Sequence, residues 1–409
     1  MLKEGAHKAC HMRMLVLAML LSATFAPVVL AEAKWEEDGW LATEGLQKLA
    51  DGDEFGCYGM PHLEWSIDPG AVALECREYI EERIDASKWG SSPISTFTPN
   101  GLTANQHTII AQQGFAVHGD NTGQSATAWH SADDVPEWEY DWYDLGRRGG
   151  SLEKEIADID ALEQELDAGG LVNLYWIGRV NDATIRHDSE VFDMLHERDD
   201  IWFTTWGEAY SYWTVERCNE FIHNLNDSVL SFRHTDTVAC NSAAPRAWNV
   251  PVTWIIEIPN STVVSSSLPE MSVEDSATSE GWRQEGDILY VSVLRGHLVE
   301  FNLSEDTDYD VLGRTQFFNN KSTAVTIAAH STTDLFRWSM RFNDNEDLRF
   351  TWLISPKAID EGIAWLPYAG LAVLATTVSA IFLILRKEAR SQSRAEALMR
   401  VDDRGADDE

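Results

Sequence analysis

The sequence predicts an α/β domain with a parallel sheet or barrel, followed by a β-rich domain and one C-terminal membrane-spanning helix. Helical and short apolar strand patterns alternate from about residue 41 to 224, which is typical of a parallel sheet. After Asn226, strand-like runs separated by Ser, Thr, Asn, Asp and Gly replace that alternation. Residues 362–385 carry no charged side chain and are long enough to cross a bilayer.

Helices of the first domain have recognisable starts. An amphipathic helix is predicted over residues 41–51, with Thr43 placed to cap it. A second helix, over residues 68–84, carries Pro69 in its first turn. A third, in the run of residues 151–170, places its apolar side chains in helical register and has Gly169 at its end. Strand patterns lie between the helices, in the runs GFAVHG, LVNLYWI and IWFTTW.

These patterns divide the chain into five segments. A signal-like segment is followed by the α/β domain, a β-sandwich-like domain, the membrane span and a cytoplasmic tail. Their bounds are 1–33, 34–224, 225–357, 362–385 and 386–409. The β-sandwich-like domain includes the strand-like runs DILYVSVLRGHLVEFNLS, STAVTIAAHS and LRFTWLIS.

Both ends of the chain indicate an extracellular protein held by one span. Lys3, Lys8 and Arg13 precede an apolar run that ends in the small residues Ala31 and Ala33, as in a secretory signal. Four basic residues follow the C-terminal span at once: Arg386, Lys387, Arg390 and Arg394. Because basic residues stay on the cytoplasmic side, we expect a cytoplasmic C-terminus and an ectodomain outside the cell.

The charge of the chain excludes one class of partner. The formal net charge is −36, with 67 acidic against 31 basic residues. This excess is spread along the chain and therefore predicts a solvated acidic surface. Nucleic-acid binding needs a basic surface instead, so no nucleic-acid partner is expected.

Cysteine usage agrees with an oxidising compartment. Four cysteines remain once Cys10 leaves with the signal: Cys57, Cys76, Cys218 and Cys240. Three pairings are possible, and sequence proximity favours Cys57–Cys76 and Cys218–Cys240. Acceptor triplets for N-glycosylation, which fit exposure outside the cell, occur at Asn226, Asn260, Asn302 and Asn320.

Several motifs occur in a recognisable order. The first is LQKLADGDEFGCYGMPHLEW, a helix and a strand followed by Tyr58 and His62, four residues apart. It is followed by STFTPNGLTANQHTIIAQQGFAV and by EVFDMLHERDDIWFTTWGEAYSYWTVERC. In this order, over roughly residues 23–224, the chain resembles the polysaccharide deacetylase family of nodulation-type and chitin deacetylases. The resemblance implies a distorted (β/α) barrel of the deacetylase type.

The resemblance also implies a chemistry. A divalent metal such as zinc, held by one Asp and two His, polarises an acetamide carbonyl and activates water. A second Asp acts as general base, and a His near the last strands acts as general acid. The implied reaction is hydrolysis of a C–N bond other than a peptide bond, which removes N-acetyl groups from a surface glycan.

This chain departs from the family pattern at the metal site. Tyr58 stands where the first metal-binding His is expected, and only His62 matches. A phenol is a poorer zinc ligand than imidazole because it must lose a proton with an ordinary pKa of about 10. Thr98 stands where the family often has Arg. The matching substrate-binding positions that follow it are Pro99, Asn100 and Gly101.

Two further departures from the family pattern concern the general acid and the paired Asp residues. The strand expected to carry the general acid reads LVNLYWIG, with Trp176 and no His. The paired Asp residues should lie just upstream of residues 23–25, where none occurs. If residues 22–29 are a barrel strand, residues 7–20 are a barrel helix and not a signal. Both interpretations leave the metal triad incomplete, so a metal is expected only if the chain is active.

Three functions remain. The first is a membrane-anchored extracellular protein of the deacetylase type that hydrolyses or recognises N-acetyl groups of surface glycans. The second is a non-catalytic glycan-binding or structural protein on the same barrel. The third is an adhesion protein that uses the β-rich domain. Trp142, in an acidic and aromatic stretch, and Trp176 are the predicted sugar contacts, and the membrane and a carbohydrate are the predicted partners.

Overall fold

The computed structural model describes residues 38–99, 101–120, 143–145, 159–177, 188–215, 219–236, 247–330, 347–357 and 366–405. The described residues of the range Trp35–Lys357 belong to one compact unit. The predicted signal, residues 1–33, lies outside the described residues.

The first part of the unit alternates helices and strands. Its helices are α1 (Gly39–Asp51), α2 (Pro69–Glu81), α3 (Ala104–Gln112), α4 (Ile159–Asp167), α5 (Asp188–His196) and α6 (Trp206–Thr214). Its strands are β1 (Glu54–Cys57), β2 (Ser95–Thr98), β3 (Val117–Asp120), β4 (Tyr143–Leu145), β5 (Gly170–Ile177) and β6 (Ile201–Phe203).

A β-rich part follows, with two antiparallel sheets of four strands each. The strands are β7 (Asn219–Asn226), β8 (Val229–Asp236), β9 (Val252–Glu257), β10 (Val263–Ser266), β11 (Gly281–Glu285), β12 (Ile288–Val293), β13 (Val299–Leu303) and β14 (Asp310–Arg314). One sheet has the order β10-β13-β8-β7 and the other β11-β12-β9-β14. Phe301 of the first and Trp254 of the second belong to one apolar cluster.

Two later strands, β15 (Thr323–His330) and β16 (Phe350–Ile354), return to the first part. β16 pairs with β1 and β15, and β15 pairs with β5 and β6, all in parallel. The sheet order is β4-β3-β2-β1-β16-β15-β5, a curled parallel half-barrel. The edge strands β4 and β5 do not pair with each other in the part of the chain that the structure describes, so the curled sheet is open between them. The predicted mixed α/β class with parallel strands is confirmed.

Both faces of the parallel sheet are covered. Helices α1 to α5 pack on one face, where Phe55 and Trp352 join an apolar cluster. Helix α6 and the β-rich part pack on the other face, where Leu171 and Leu353 join a second cluster. Because neither face meets water, strands such as β1 and β16 are buried at every position.

The predicted boundary at residues 224 and 225 does not separate the two parts. β7 begins at Asn219, within the segment that the sequence assigned to a last helix, because α6 ends at Thr214. β15 and β16 fall in the segment assigned to the β-rich domain, yet they pair with β1 and β5. The position of a strand in the chain therefore does not determine which strands it pairs with. Its partners depend on which of its faces must be buried.

The predicted start of α2 is confirmed, whereas the predicted cap of α1 is not. The Asp68 side chain accepts a hydrogen bond from the Ala71 backbone N–H at 3.0 Å, and Pro69 begins α2 as expected. In α1 the predicted cap is wrong, because the helix begins earlier and Asp38 accepts from the Leu41 N–H.

The C-terminal helix α7 spans Leu366–Gly405. Its segment Tyr368–Lys387 is long and apolar enough to cross a membrane by length and composition. Side chains such as Leu371 and Phe382 are exposed along it. This helix overlaps the predicted span, residues 362–385, and is a candidate membrane helix.

Candidate functional site

The carboxyl ends of the parallel strands meet at one edge of the half-barrel, which we call the carboxyl edge. Tyr58 directly follows β1, Pro99 directly follows β2, and Trp176 is the penultimate residue of β5. Parallel α/β sheets and barrels bind ligands at this edge, where the loops after the strands converge. The parallel sheet therefore brings these separately predicted residues to one edge.

Three rings form a stack at the carboxyl edge, which we call the ring column. The Tyr58 ring stacks on Phe97 of β2, with ring centroids 4.8 Å apart and planes inclined by 18°. Its other side stacks on His330, the last residue of β15, at 4.7 Å and 19°. Both faces of the Tyr58 ring are thus in contact, which fixes its orientation. Tyr58 and His330 are half-buried, whereas Phe97 is buried.

His330 is a site residue that the sequence analysis missed. Its strand was assigned to the β-rich domain, so its position at the end of a parallel strand was not recognised. β15 pairs with β5 along its whole length, and His330 lies opposite Ile177. The available signal was the uncharged, mostly apolar run TAVTIAA ahead of the His, which is typical of a strand buried on both faces.

His62 lies in the loop after β1 and contacts helix α2. Its Nε2 is 3.0 Å from Glu75 Oε2, and both side chains are exposed, by 36% and 41%. The two predicted metal positions therefore have different partners: Tyr58 contacts rings of the sheet, and His62 contacts a surface carboxylate. Gly101 has a φ of 94°, in the left-handed region, so this position favours glycine.

Several of the predicted site and disulfide residues lie outside the part of the chain that the structure describes. Asn100, Trp142, Cys218 and Cys240 are not among the described residues, and only the backbone of Trp176 is described. The predicted disulfide Cys57–Cys76 is confirmed and joins the end of β1 to helix α2. This bond fixes the strand end from which Tyr58 emerges.

The other end of β1 carries a buried polar network around the N-terminus of α6. The first three backbone N–H groups of a helix have no partner within it, and here side chains accept from each. Trp206 N–H donates to Thr351 Oγ1 at 3.0 Å and Gly207 N–H to Glu54 Oε2 at 2.7 Å. Glu208 N–H donates to Thr205 Oγ1 at 3.3 Å. Strands β1 and β16 thus hold α6 on the sheet.

Two adjacent carboxyls, Glu54 at the start of β1 and Asp53 directly before it, are buried and point to opposite faces. Burial raises the pKa of Glu54 to about 7, and the nearby Glu208 carboxylate adds to this increase. Burial raises the pKa of Asp53 to about 6, opposed by hydrogen bonds from Trp352 and Phe350. Shifted carboxyls occur in active sites, but these two hold packed elements together, so we assign them a structural role.

A groove of about 480 Å³ lies at the amino ends of β2 and β3, between the two parts of the unit. Trp248 forms one wall, and its Nε1 donates to the Ser92 carbonyl at 3.0 Å. Trp89 forms another wall, and its Nε1 donates to Glu208 Oε1 at 2.8 Å. Both indole N–H groups already donate to oxygens of the protein. They are therefore not available as hydrogen-bond donors to a ligand in the groove.

The described residues contain no group of three or more His, Cys, Asp or Glu side chains able to hold a metal ion. They do not reproduce the metal site implied by the resemblance, and we derive no step through a metal. No family model, no curated protein and no solved structure matches this chain.

Proposed function

We propose that this chain is a membrane-anchored surface protein that recognises carbohydrate at the carboxyl edge of its half-barrel. The ring column of Phe97, Tyr58 and His330 is the observation that supports this function. Because both faces of the Tyr58 ring are covered, the ring column would contact a sugar through its ring edges and through the phenol and imidazole groups, which exchange hydrogen bonds with sugar hydroxyls. N-acetylated surface glycans are the proposed ligands, and the ectodomain lies outside the cell with its C-terminus in the cytoplasm.

The architecture proposed for this function is a deacetylase-type (β/α) barrel that is open between β4 and β5. The strand order supports it: β1 to β4 are neighbours in sequence order on one side of β1, and β16, β15 and β5 follow on its other side. We assign the β-rich part as a β-sandwich. Its two sheets share one apolar cluster, and β13 alternates buried and exposed side chains.

Deacetylation is the second candidate function. It is favoured by the position of His330, because a histidine at the carboxyl end of a barrel strand suits general acid or base chemistry. Recognition without catalysis is the better supported of the two. Tyr58 stands where the family has a metal-binding His and has a ring on each face, and His62 contacts Glu75.

The test is carbohydrate binding by the full chain in detergent, measured by calorimetry with N-acetylated oligosaccharides. Tyr58→Ala removes the middle ring and should weaken binding about tenfold or more, equivalent to about 1.4 kcal/mol. Tyr58→Phe keeps the ring column but removes the phenol hydroxyl, so it should lose less affinity than Tyr58→Ala. Tyr309→Ala is the matched control, because this tyrosine contacts His223 in the β-rich part.

Equal affinity of the wild type, Tyr58→Ala and His330→Ala would contradict recognition at the ring column. Release of acetate by the wild type, lost in His330→Ala and dependent on about one bound divalent metal, would favour the deacetylase. Unchanged binding after removal of the ring column, with loss after changes in β7 or β8, would favour adhesion through the β-rich part.

A further inference from the structure

All four N-glycosylation triplets of the chain fall in the β-rich part or immediately after it. Their asparagines are exposed without exception: Asn226, Asn260, Asn302 and Asn320. Three of them come from positions up to 76 residues apart in sequence yet meet at one end of the sheet β10-β13-β8-β7. The strand register and loop contacts show how they meet.

Asn226 and Asn302 lie in one row across this sheet. Val229 of β8 pairs with Asn226 of β7 on one side and with Asn302 of β13 on the other. Residues in register across a sheet point to the same face, so both asparagines point outward, about 10 Å apart by two strand spacings. The row continues to Ser265 of β10, whose Oγ accepts from Asn302 Nδ2 at 2.8 Å.

Asn260 reaches the same end of the sheet through the connection between β9 and β10. Thr262, the hydroxyl residue of its triplet, accepts a hydrogen bond from the Ser304 backbone N–H at 2.8 Å. Ser304 is in turn the hydroxyl residue of the Asn302 triplet. On the other side, the Leu303 N–H donates to the carbonyl of Ser228, which completes the Asn226 triplet. The three triplets are therefore joined by backbone hydrogen bonds.

We propose that Asn226, Asn260 and Asn302 form an N-glycosylated patch at this end of the sheet β10-β13-β8-β7. The proposal rests on the extracellular location in the proposed function. It requires a membrane glycosyltransferase and a lipid-phosphate-linked sugar donor. The Asn Nδ2 forms a bond to the anomeric carbon of the sugar and loses one proton. The bond from that carbon to the phosphate oxygen breaks, and the lipid phosphate leaves with the electron pair.

The local backbone ranks the sites. Asn226 stands at the start of the hairpin turn through Asp227 and Ser228, which have φ of 47° and 62°. Asn260 lies in a connection with a φ of 58°. Turn sites protrude from a folded sheet, whereas Asn302 is in a strand paired on both sides. We expect the highest occupancy at Asn226 and Asn260 and a lower one at Asn302.

A sugar at Asn226 has a physical consequence for the sheet. β7 is an edge strand of eight residues among the strands described, and Ile222 is 42% exposed on it. Long exposed edges pair with other chains unless something bulky or charged blocks them. A glycan at the end of β7 would hinder such pairing, so its loss should increase self-association.

The test is mass spectrometry of proteolytic peptides from the full chain, purified from membranes of the cells that produce it. Peptides with Asn226 and Asn260 should carry a hexose-containing mass addition. Thr262→Ala removes the Asn260 triplet and should abolish its addition, whereas Thr262→Ser keeps the triplet and the addition. Ser228→Gly suits the positive φ and should abolish the addition at Asn226. Asn224→Gln, exposed on the same strand but outside any triplet, is the matched control and should change nothing.

A membrane-impermeant amine reagent, applied to intact cells, separates the two proposals. Labelling of the ectodomain together with unmodified peptides at all three asparagines would overturn the glycosylated patch and leave the surface location standing. Protection of the ectodomain from the reagent, with unmodified peptides, would overturn both. Modified peptides in a chain that binds no carbohydrate would support the patch and overturn recognition at the ring column.

Discussion

The strands of the parallel half-barrel and those of the β-rich part bury their side chains in different ways. β1, β2 and β16 are buried at every position. β13 alternates strictly, with Val299, Phe301 and Leu303 buried and the residues between them exposed. The half-barrel is covered on both faces, whereas the sheet that contains β13 has one face in the core and the other in water.

This difference shows which sequence signal identifies strand partners. β15 follows the β-rich part directly in the chain, yet its first seven residues are all buried, as in a parallel strand. The pattern of burial, and not the position in the chain, assigned β15 and β16 to the half-barrel. A strand without polar alternation that follows alternating strands in the sequence therefore indicates that the chain has returned to a sheet buried on both faces.

The two parts also place their polar groups differently. The half-barrel encloses Asp53, Glu54 and Glu208 and provides each with hydrogen-bond donors. The β-rich part directs polar residues such as Asn302 outward. Buried carboxyls require donors and respond to pH, whereas outward asparagines are available for modification.

The largest effect is expected in a strand buried on both faces. Trp352 of β16 has no exposed surface, and its Nε1 donates to Asp53 Oδ2 at 2.8 Å. Trp352→Ala should lower the free energy of unfolding by about 3–5 kcal/mol, measured by denaturant titration. Trp352→Phe keeps a ring and should cost less. Equal losses in the two variants would show that the hydrogen bond to Asp53, and not the packing of the ring, determines the effect.

The next effect is a pH dependence specific to the half-barrel. Burial raises the pKa of Glu54 from its ordinary 4.5 to about 7, so the folded chain binds this proton more tightly than the unfolded chain. The contribution is complete below about pH 4.5 and is lost as pH rises through about 7, a change of about 3 kcal/mol. Denaturant titrations at pH 5 to 8 should show this decrease in the wild type.

Glu54→Gln is the matched variant, because its amide oxygen still accepts from the Gly207 N–H without a charge. The decrease between pH 5 and 8 should be smaller in this variant. A part should remain, since burial also raises the pKa of Asp53, from 3.8 to about 6. An identical pH profile in both proteins would contradict a raised pKa at Glu54.

A smaller effect is expected where the two parts of the unit meet. Trp248 precedes β9 and lies against Gly90 and Gly207, so a Cβ at Gly90 would clash with Trp248 Cδ1. Gly90→Ala should cost about 1–3 kcal/mol of unfolding free energy, because the indole must move. The same change in a Trp248→Leu background should cost less, which a double-mutant cycle measures.

Gly45→Ala provides the control for this prediction. Gly45 lies inside helix α1, where alanine favours the helix over glycine. The new Cβ would be 3.1 Å from the flexible end of the Ile84 side chain. Its effect should be neutral or stabilising. An equal cost at Gly90 and Gly45 would indicate a general glycine effect and not a specific contact between the two parts.

The smallest effect is expected on the outer face of the β-rich part. Glu300 of β13 is exposed and lies opposite Ser231 of β8. Glu300→Ala should change the unfolding free energy by no more than about 0.5 kcal/mol in thermal or denaturant unfolding. A loss as large as that of Trp352→Ala would mean that this face is covered, and the contrast between the two parts would fail.

The sequence by itself determined the local structure of this protein. The acidic composition, the apolar C-terminal run, the Pro69 helix start and the proximity of Cys57 and Cys76 each depend on neighbouring residues. Periodicity, capping and short loops act over a few residues, so they can be read from the chain directly. The α/β class and the parallel strands followed from the alternation of helices and strands.

Only the tertiary structure decided which distant residues meet. The ring column joins residues 58, 97 and 330, and the patch of asparagines joins residues 226, 260 and 302. The place of β15 and β16 beside β1 and β5 was likewise not visible in the order of the elements. Strand pairing over such distances is selected by the burial of whole faces, a collective property of the folded chain that no short stretch of sequence contains.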